Sequence, residues 1–163
     1  MFVRTAGERD LAAIRALLVE TWHSTYGAIY GAGRATEIAG ERHSIASLKT
    51  GLTKPNSEFL VADDGKRIGG VAFAESLDGG DLVILKQLYV LPTLQGKGIG
   101  GMLLDEIIAS FPEARAIRLE VEARNIRAIA FYQANGFVRS GGAGEHAGAS
   151  GEQTLVYHRP LAG

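Results

Sequence analysis

The sequence predicts an α/β domain built on a mixed sheet, and three observations carry that prediction. Leu82-Val83-Ile84-Leu85 and Leu88-Tyr89-Val90 are rich in the branched and aromatic side chains of a strand. The run Gln95-Gly96-Lys97-Gly98-Ile99-Gly100-Gly101 then opens a helix on which Ile99, Leu103, Leu104, Ile107 and Ile108 recur at helical spacing. Beyond Pro112, the apolar residues Ile117, Leu119 and Val121 alternate with Arg118, Glu120 and Glu122, which puts both glutamates on one face of a strand. Strand, glycine loop, helix and strand form a βαβ crossover, so the two flanking strands lie parallel. The remaining strands follow one another through short turns and make the rest of a seven-stranded sheet mostly antiparallel.

Taken in order, Phe2-Val3-Arg4-Thr5 is the first short strand. From Glu8, the positions Leu11, Ile14, Leu17, Leu18 and Trp22 mark an amphipathic helix, with Gly27 and Gly31 expected to interrupt or end it. A second helix is expected from about Arg34 to Leu52, before Pro55. Glu58–Ala62 and Ile68–Ala74 form a hairpin across Asp63-Asp64-Gly65-Lys66, whose Asp-Gly pair is a strong turn signal. Asp78-Gly79-Gly80-Asp81 turns into the strand that feeds the glycine loop. After the third helix, Asn125 caps a fourth, which ends at Asn135-Gly136. Phe137-Val138 and Thr154–Tyr157 form a final hairpin.

Size and composition fit one domain over residues 1–163, with 46% hydrophobic and 21% charged residues. A formal net charge of −1 gives no reason to expect nucleic acid or an anionic membrane as partner. Zero cysteines remove disulfides, thiolate metal sites and thiol nucleophiles together. The four histidines, His23, His43, His146 and His158, lack metal-ligand spacing, so no metal is expected. No apolar run reaches membrane-span length and the start lacks a signal-peptide core, which leaves the cytoplasm as the expected compartment.

The chemistry begins at the glycine loop. Glycine lets a backbone approach a ligand with no Cβ in the way, and the first amides of a helix have no internal partner. Those amides sit at the positive end of the helix dipole, so an anion such as a diphosphate fits there, with Lys97 beside it. A tight turn alone would also use these glycines. The spacing is neither that of a nucleoside-triphosphate loop nor that of a dinucleotide fold.

Gln95-x-x-Gly98-x-Gly100 behind Leu88-Tyr89-Val90-Leu91-Pro92 resembles motif A of the GCN5-related N-acetyltransferases, the GNAT superfamily. Asn125-x-x-Ala128-x-x-Phe131-Tyr132, followed by Asn135-Gly136-Phe137, resembles the second half of the same signature, and the likeness covers essentially the whole chain. It implies the GNAT fold, in which the two parallel strands, the fourth and fifth, splay apart in a V and about four helices flank the sheet. It implies acetyl-CoA as cosubstrate and N-acetyl transfer as the activity. Leu88, Tyr89, Val90, Gln95, Gly96, Lys97, Gly98, Ile99, Gly100 and Gly101 would then hold pantetheine and diphosphate. Asn125, Ala128 and Tyr132 would complete the cofactor site, with Tyr132 as the acid that protonates the leaving thiolate. Packing of Tyr132 along its helix is the plainer alternative.

Glu120 stands twelve residues before Tyr132, and Leu119-Glu120-Val121 is similar to the stretch that carries the base in ribosomal-protein-alanine acetyltransferases. Glu122, Glu75 and His23 compete for that role, and Glu120 on a solvated strand face is the plain reading. In GNAT folds the acceptor lies against the first helices and the loop before the last strand, here Trp22–Tyr30 and Arg139–Glu152. Tyr26, Tyr30 and Glu75 are the candidate acceptor-binding residues, whereas Trp22 is expected in the core. Phe137-Val138 with Glu152-Gln153-Thr154-Leu155, and the Thr-Tyr pair at Tyr26, are similar to PaiA-type polyamine acetyltransferases. That likeness favours a small amine over a protein N-terminus or lysine. A nonenzymatic acyl-CoA-binding sensor and an interaction module of the same architecture are the other readings. Exposed edge strands mildly favour a homodimer.

Overall fold

In the computed structural model, which describes residues 1–31, 33, 44–143 and 154–161, the alternating stretches form one seven-stranded sheet in the order β1-β2-β3-β4-β5-β7-β6. The strands are β1 Phe2–Thr5, β2 Ser57–Asp63, β3 Ile68–Leu77, β4 Leu82–Val90, β5 Ala116–Glu122, β6 Val138–Ala143 and β7 Thr154–Pro160. The α-helices of nine residues or more among the described residues are α1 Leu11–Tyr30, α2 Ile45–Thr53, α3 Ile99–Ser110 and α4 Ile126–Ala134. The chain divides into two compact units: residues 1–74 with 87–110, and residues 75–86 with 111–163.

In the first unit β1 pairs antiparallel with β2, Phe2 opposite Asp63 and Thr5 opposite Leu60. The turn after β2 is built by its own aspartates. Asp63 Oδ1 accepts the Gly65 N–H at 2.7 Å, and Asp64 Oδ1 accepts the N–H groups of Lys66 and Arg67 at 2.8 Å each. Those backbone bonds, from Arg67 first, hold the Asp64 carboxyl below its usual range. Leu11, Ile14, Leu17 and Leu18 of α1 pack with Leu48 of α2 and with Phe59, Val61 and Val71 of the strands into one buried cluster. Arg4 ties the entrance of α1 to the sheet. Its guanidinium donates to both oxygens of Asp10, at 2.8 and 2.9 Å, and to Asp63 Oδ2 at 3.1 Å.

One helix boundary differs from those expected. Gly27 does not interrupt α1: the helix runs through it to Tyr30, and Gly31, at φ 87°, ends it with its N–H donating to the Gly27 carbonyl at 2.9 Å. One glycine costs a helix about 1 kcal/mol, less than the burial of Trp22 and Tyr26 in the turn and a half before it returns. In the region expected for the second helix, α2 runs Ile45–Thr53 and ends before Pro55, and the Ser44 side chain caps it by accepting the Ser47 N–H at 3.2 Å. The expected stretch at 34–43 lies outside the described residues.

In the second unit β4 and β5 pair in parallel from Leu82↔Ala116 to Leu85↔Leu119, and both strands run on beyond that register. The crossover is therefore present. β5 pairs antiparallel with β7 along its whole length, and β7 pairs with β6. Ile117, Leu119, Val121, Phe137, Leu155 and Tyr157 are buried. The glycine-rich stretch before β7 contributes Gly141–Ala143 to β6, and the rest of it lies outside the described residues. Among the described residues no helix is long and apolar enough to cross a membrane.

Candidate functional site

The first unit carries the glycine loop. β4 ends in the half-buried Leu88, Tyr89 and Val90, and the Leu91 N–H donates to the Gly69 carbonyl at 2.9 Å. A single 3₁₀ turn, Pro92–Leu94, follows, and Gln95 reaches back so that its Nε2 donates to the Val90 carbonyl at 3.2 Å. The Gln95 Oε1 is buried with no hydrogen-bond partner among the described residues. Gly96 and Gly98 take φ of 81° and 85°, a region in which any other residue is strained. A Cβ at Gly96, Gly98 or Gly101 would meet nothing within 4 Å, so these positions border open space. The first hydrogen bond of α3 runs from the Met102 N–H to the Gly98 carbonyl at 3.1 Å. The amides of Ile99, Gly100 and Gly101 precede it and have no acceptor within the helix. Lys97 is exposed beside them.

Two glycines that the pattern reading left unremarked seat this loop. A Cβ on Gly69 would lie 2.7 Å from Leu94 Cδ1. One on Gly70 would lie 2.9 Å from Leu103 Cδ1, 3.1 Å from Ile99 Cγ2 and 3.2 Å from the Tyr89 carbonyl oxygen. Adjacent glycines inside a strand are the sequence signal for such close approach. Tyr26 is buried with its ring centroid 4.2 Å from that of Trp22, and both belong to the first unit. Trp22 is core, as expected. Tyr30 ends α1, and its side chain lies outside the described part.

The second unit carries Glu75, Glu120, Asn125, Ala128 and Tyr132. Asn125 caps α4 as expected: its Oδ1 accepts the Ala128 N–H at 3.3 Å, its carbonyl the Ile129 N–H at 3.1 Å, and its own N–H donates to the Glu122 carbonyl at 2.9 Å. The cap fixes the start of α4 and hence the phase at which Tyr132 leaves the helix. Tyr132 is buried, its ring edge-on to Phe131 at 5.4 Å and to Phe137 at 5.5 Å. Gly136, at φ 88°, ends the helix, and the Phe137 N–H donates back to the Tyr132 carbonyl at 3.0 Å. The second half of the sequence motif therefore builds a clamp for one aromatic ring.

Glu120 is half-buried on β5, and Glu75 is half-buried on β3. Glu122 departs from the solvated strand face that alternation alone implies. Its side chain is 5% exposed and takes Arg124 Nε on Oε1 at 2.7 Å, closing the turn between β5 and α4. Among the described residues no group of histidine, aspartate and glutamate could hold a metal ion.

Comparison with known proteins bears on the family and the fold. Residues 55–139 match the model of the acetyltransferase (GNAT) domain. The chain is 35% identical over 112 residues to an uncharacterized N-acetyltransferase of Mycobacterium tuberculosis, covering 68% of this chain and 71% of that one. It is 30% identical over 143 residues to the uncharacterized N-acetyltransferase YhfO of Bacillus subtilis, covering 84% and 89%. Among solved structures, the PaiA N-acetyltransferase of Thermoplasma acidophilum in complex with coenzyme A superposes with a TM-score of 0.88, at 22% identity over 98% of both chains. The ribosomal-protein alanine N-acetyltransferase of Escherichia coli gives 0.74 at 18% identity, over 99% of this chain and 96% of that one. At those identities the superpositions speak to the fold.

Proposed function

Because the chain belongs to the GNAT family of acetyltransferases, we propose that it transfers the acetyl group of acetyl-CoA directly to the primary amine of a small molecule, a polyamine or similar, within a ternary complex. The family's cosubstrate supplies an activated thioester. The glycine loop is the observation that carries the reading: two glycines at positive φ, bare positions facing open space and three helix-start amides ahead of the first helical bond suit a diphosphate. Leu88, Tyr89 and Val90 then hold pantetheine, Gln95 to Gly101 hold the diphosphate, and Asn125 and Ala128 complete the cofactor contacts.

Tyr132 donates a proton to the departing sulfur. Its clamped ring suits that task, because a fixed phenol need not be oriented at the moment of reaction. Glu120 takes the proton of the acceptor ammonium, directly or through water. Tyr26, Tyr30 and Glu75 are assigned to the acceptor. The spacing of Glu120 and Tyr132 also fits a protein N-terminal amine as acceptor, which makes that the second reading.

The test is release of free CoA from acetyl-CoA across a panel of amines and N-terminal peptides, repeated with Tyr132→Phe and Glu120→Gln. Tyr132→Phe should keep acetyl-CoA affinity and lose roughly 10²–10⁴-fold in turnover, the usual reach of general acid–base catalysis. Glu120→Gln should be partly rescued at high pH, where free amine is abundant. Full activity in Tyr132→Phe would sink the mechanism.

A further inference from the structure

Glu122 on β5 carries a buried hydrogen-bond acceptor that nothing among the described residues uses. Its side chain is 95% shielded from solvent, given 5% exposure, and only one of its oxygens is engaged: Oε1 takes Arg124 Nε at 2.7 Å and the Arg124 N–H at 3.4 Å. The other, Oε2, is buried and has no hydrogen-bond partner among the described residues. A buried carboxylate oxygen without a donor is costly and calls for an explanation. Arg124, half-exposed, orients the carboxylate and leaves the second oxygen for another group.

Strand geometry says which group. Residues two apart on a strand share a face and stand roughly 6–7 Å apart. Glu120 and Glu122 are such a pair on β5, with Val156 and Thr154 opposite them on β7. Arg118 and its cross-strand neighbour His158 stand on the same face at the other side of Glu120. A cation is therefore repelled at the Arg118 side and accommodated at the Glu122 side. An extended four-carbon diamine spans about the distance between the two carboxylates.

Resting on the acetyltransferase reading above, we infer that Glu122 is a specificity-determining residue. Its free oxygen accepts a hydrogen bond from the second, non-reacting ammonium of an alkyl diamine or polyamine whose reacting nitrogen lies at Glu120. Charge-assisted bonds of this kind are short and strong, so the second nitrogen selects the acceptor.

The experiment compares 1,4-diaminobutane with 1-aminobutane, which has the same carbon chain and one ammonium. Wild type should favour the diamine in kcat/KM by about tenfold or more, the equivalent of one good contact, and should favour it over 1,3- and 1,6-diamines. Glu122→Gln keeps the shape and removes the charge, so it should erase the diamine preference through KM, with little change in kcat. Calorimetric titration of 1,4-diaminobutane into the CoA-bound protein reads the same contact without turnover, and binding should weaken by a similar factor in Glu122→Gln. Wild type with no preference for the diamine overturns the inference, whatever the variant does to folding. So does a Glu122→Gln protein that melts early yet keeps the preference, which would make Glu122 a turn anchor with ordered water on Oε2. Failure of the broader reading looks different: no free CoA appears with any amine, while the titration still reports whether Glu122 binds the diamine.

Discussion

Gly98 and Gly101 lie three residues apart in the same loop, and adding one methyl to each should move stability in opposite directions. Neither Cβ would meet an atom within 4 Å, so no clash contributes. Gly98 sits at φ 85°, where an L-residue pays about 1–2 kcal/mol. Gly98→Ala should lose that much, which at about 2–4 °C per kcal/mol for a domain of this size lowers the melting temperature by about 2–8 °C. Gly101 lies in the first turn of α3 with ordinary helical geometry. Gly101→Ala should gain about 0.5–1 kcal/mol, because alanine has less freedom to lose than glycine. Paired thermal melts of the ligand-free variants should therefore separate by about 2 kcal/mol, the sum of the two effects. CoA titration adds the functional arm: Gly98→Ala should lose about tenfold in affinity, because the amides of Ile99 and Gly100 follow its backbone. Equal melting shifts in the two variants would refute the argument from φ. Weakened CoA binding in a stabilised Gly101→Ala would mean that the ligand lies against that Cα itself.

Asp10 should govern the acid limb of stability. The Arg4 guanidinium, aided by the Gly7 N–H, holds its carboxyl down at about 2 against an ordinary 3.8. A carboxyl depressed on folding stabilises above its unfolded value, so the contribution, about 2 kcal/mol, is present above pH 4 and lost as pH falls toward 2. Denaturant melts at pH 6 and pH 2.5 should show that loss in wild type and a much smaller one in Asp10→Asn. Gly70→Val should destabilise by about 1–3 kcal/mol through overpacking against Leu103 and the Tyr89 carbonyl, read as a lower denaturant midpoint at unchanged slope. Asn125→Ala removes the cap on α4 and should cost about 1 kcal/mol. It should also slow acetyl transfer, because the phase of Tyr132 depends on that cap; a stability loss with wild-type turnover would separate the two.

Local signals carried much of this protein. The strand before the loop, the glycine turn, the Asn125 cap and the Gly136 stop are each settled within a few residues, by backbone sterics and by the need to satisfy helix-end amides. Those are the features that the sequence alone determined, together with the parallel pairing that a crossover imposes and the motifs that mark the family. Tertiary structure decided what depends on distant partners. β7 lies between β5 and β6, so β6, which precedes it in the chain, becomes the edge strand; no local propensity encodes that order. The tie from Arg4 to Asp10 and Asp63 joins residues up to 59 positions apart. Alternation put Glu120 and Glu122 on one face, yet only packing made one half-exposed and the other buried with an oxygen to spare. A pattern with a period of two assigns a side chain to a face, whereas its depth depends on what the rest of the chain lays over it.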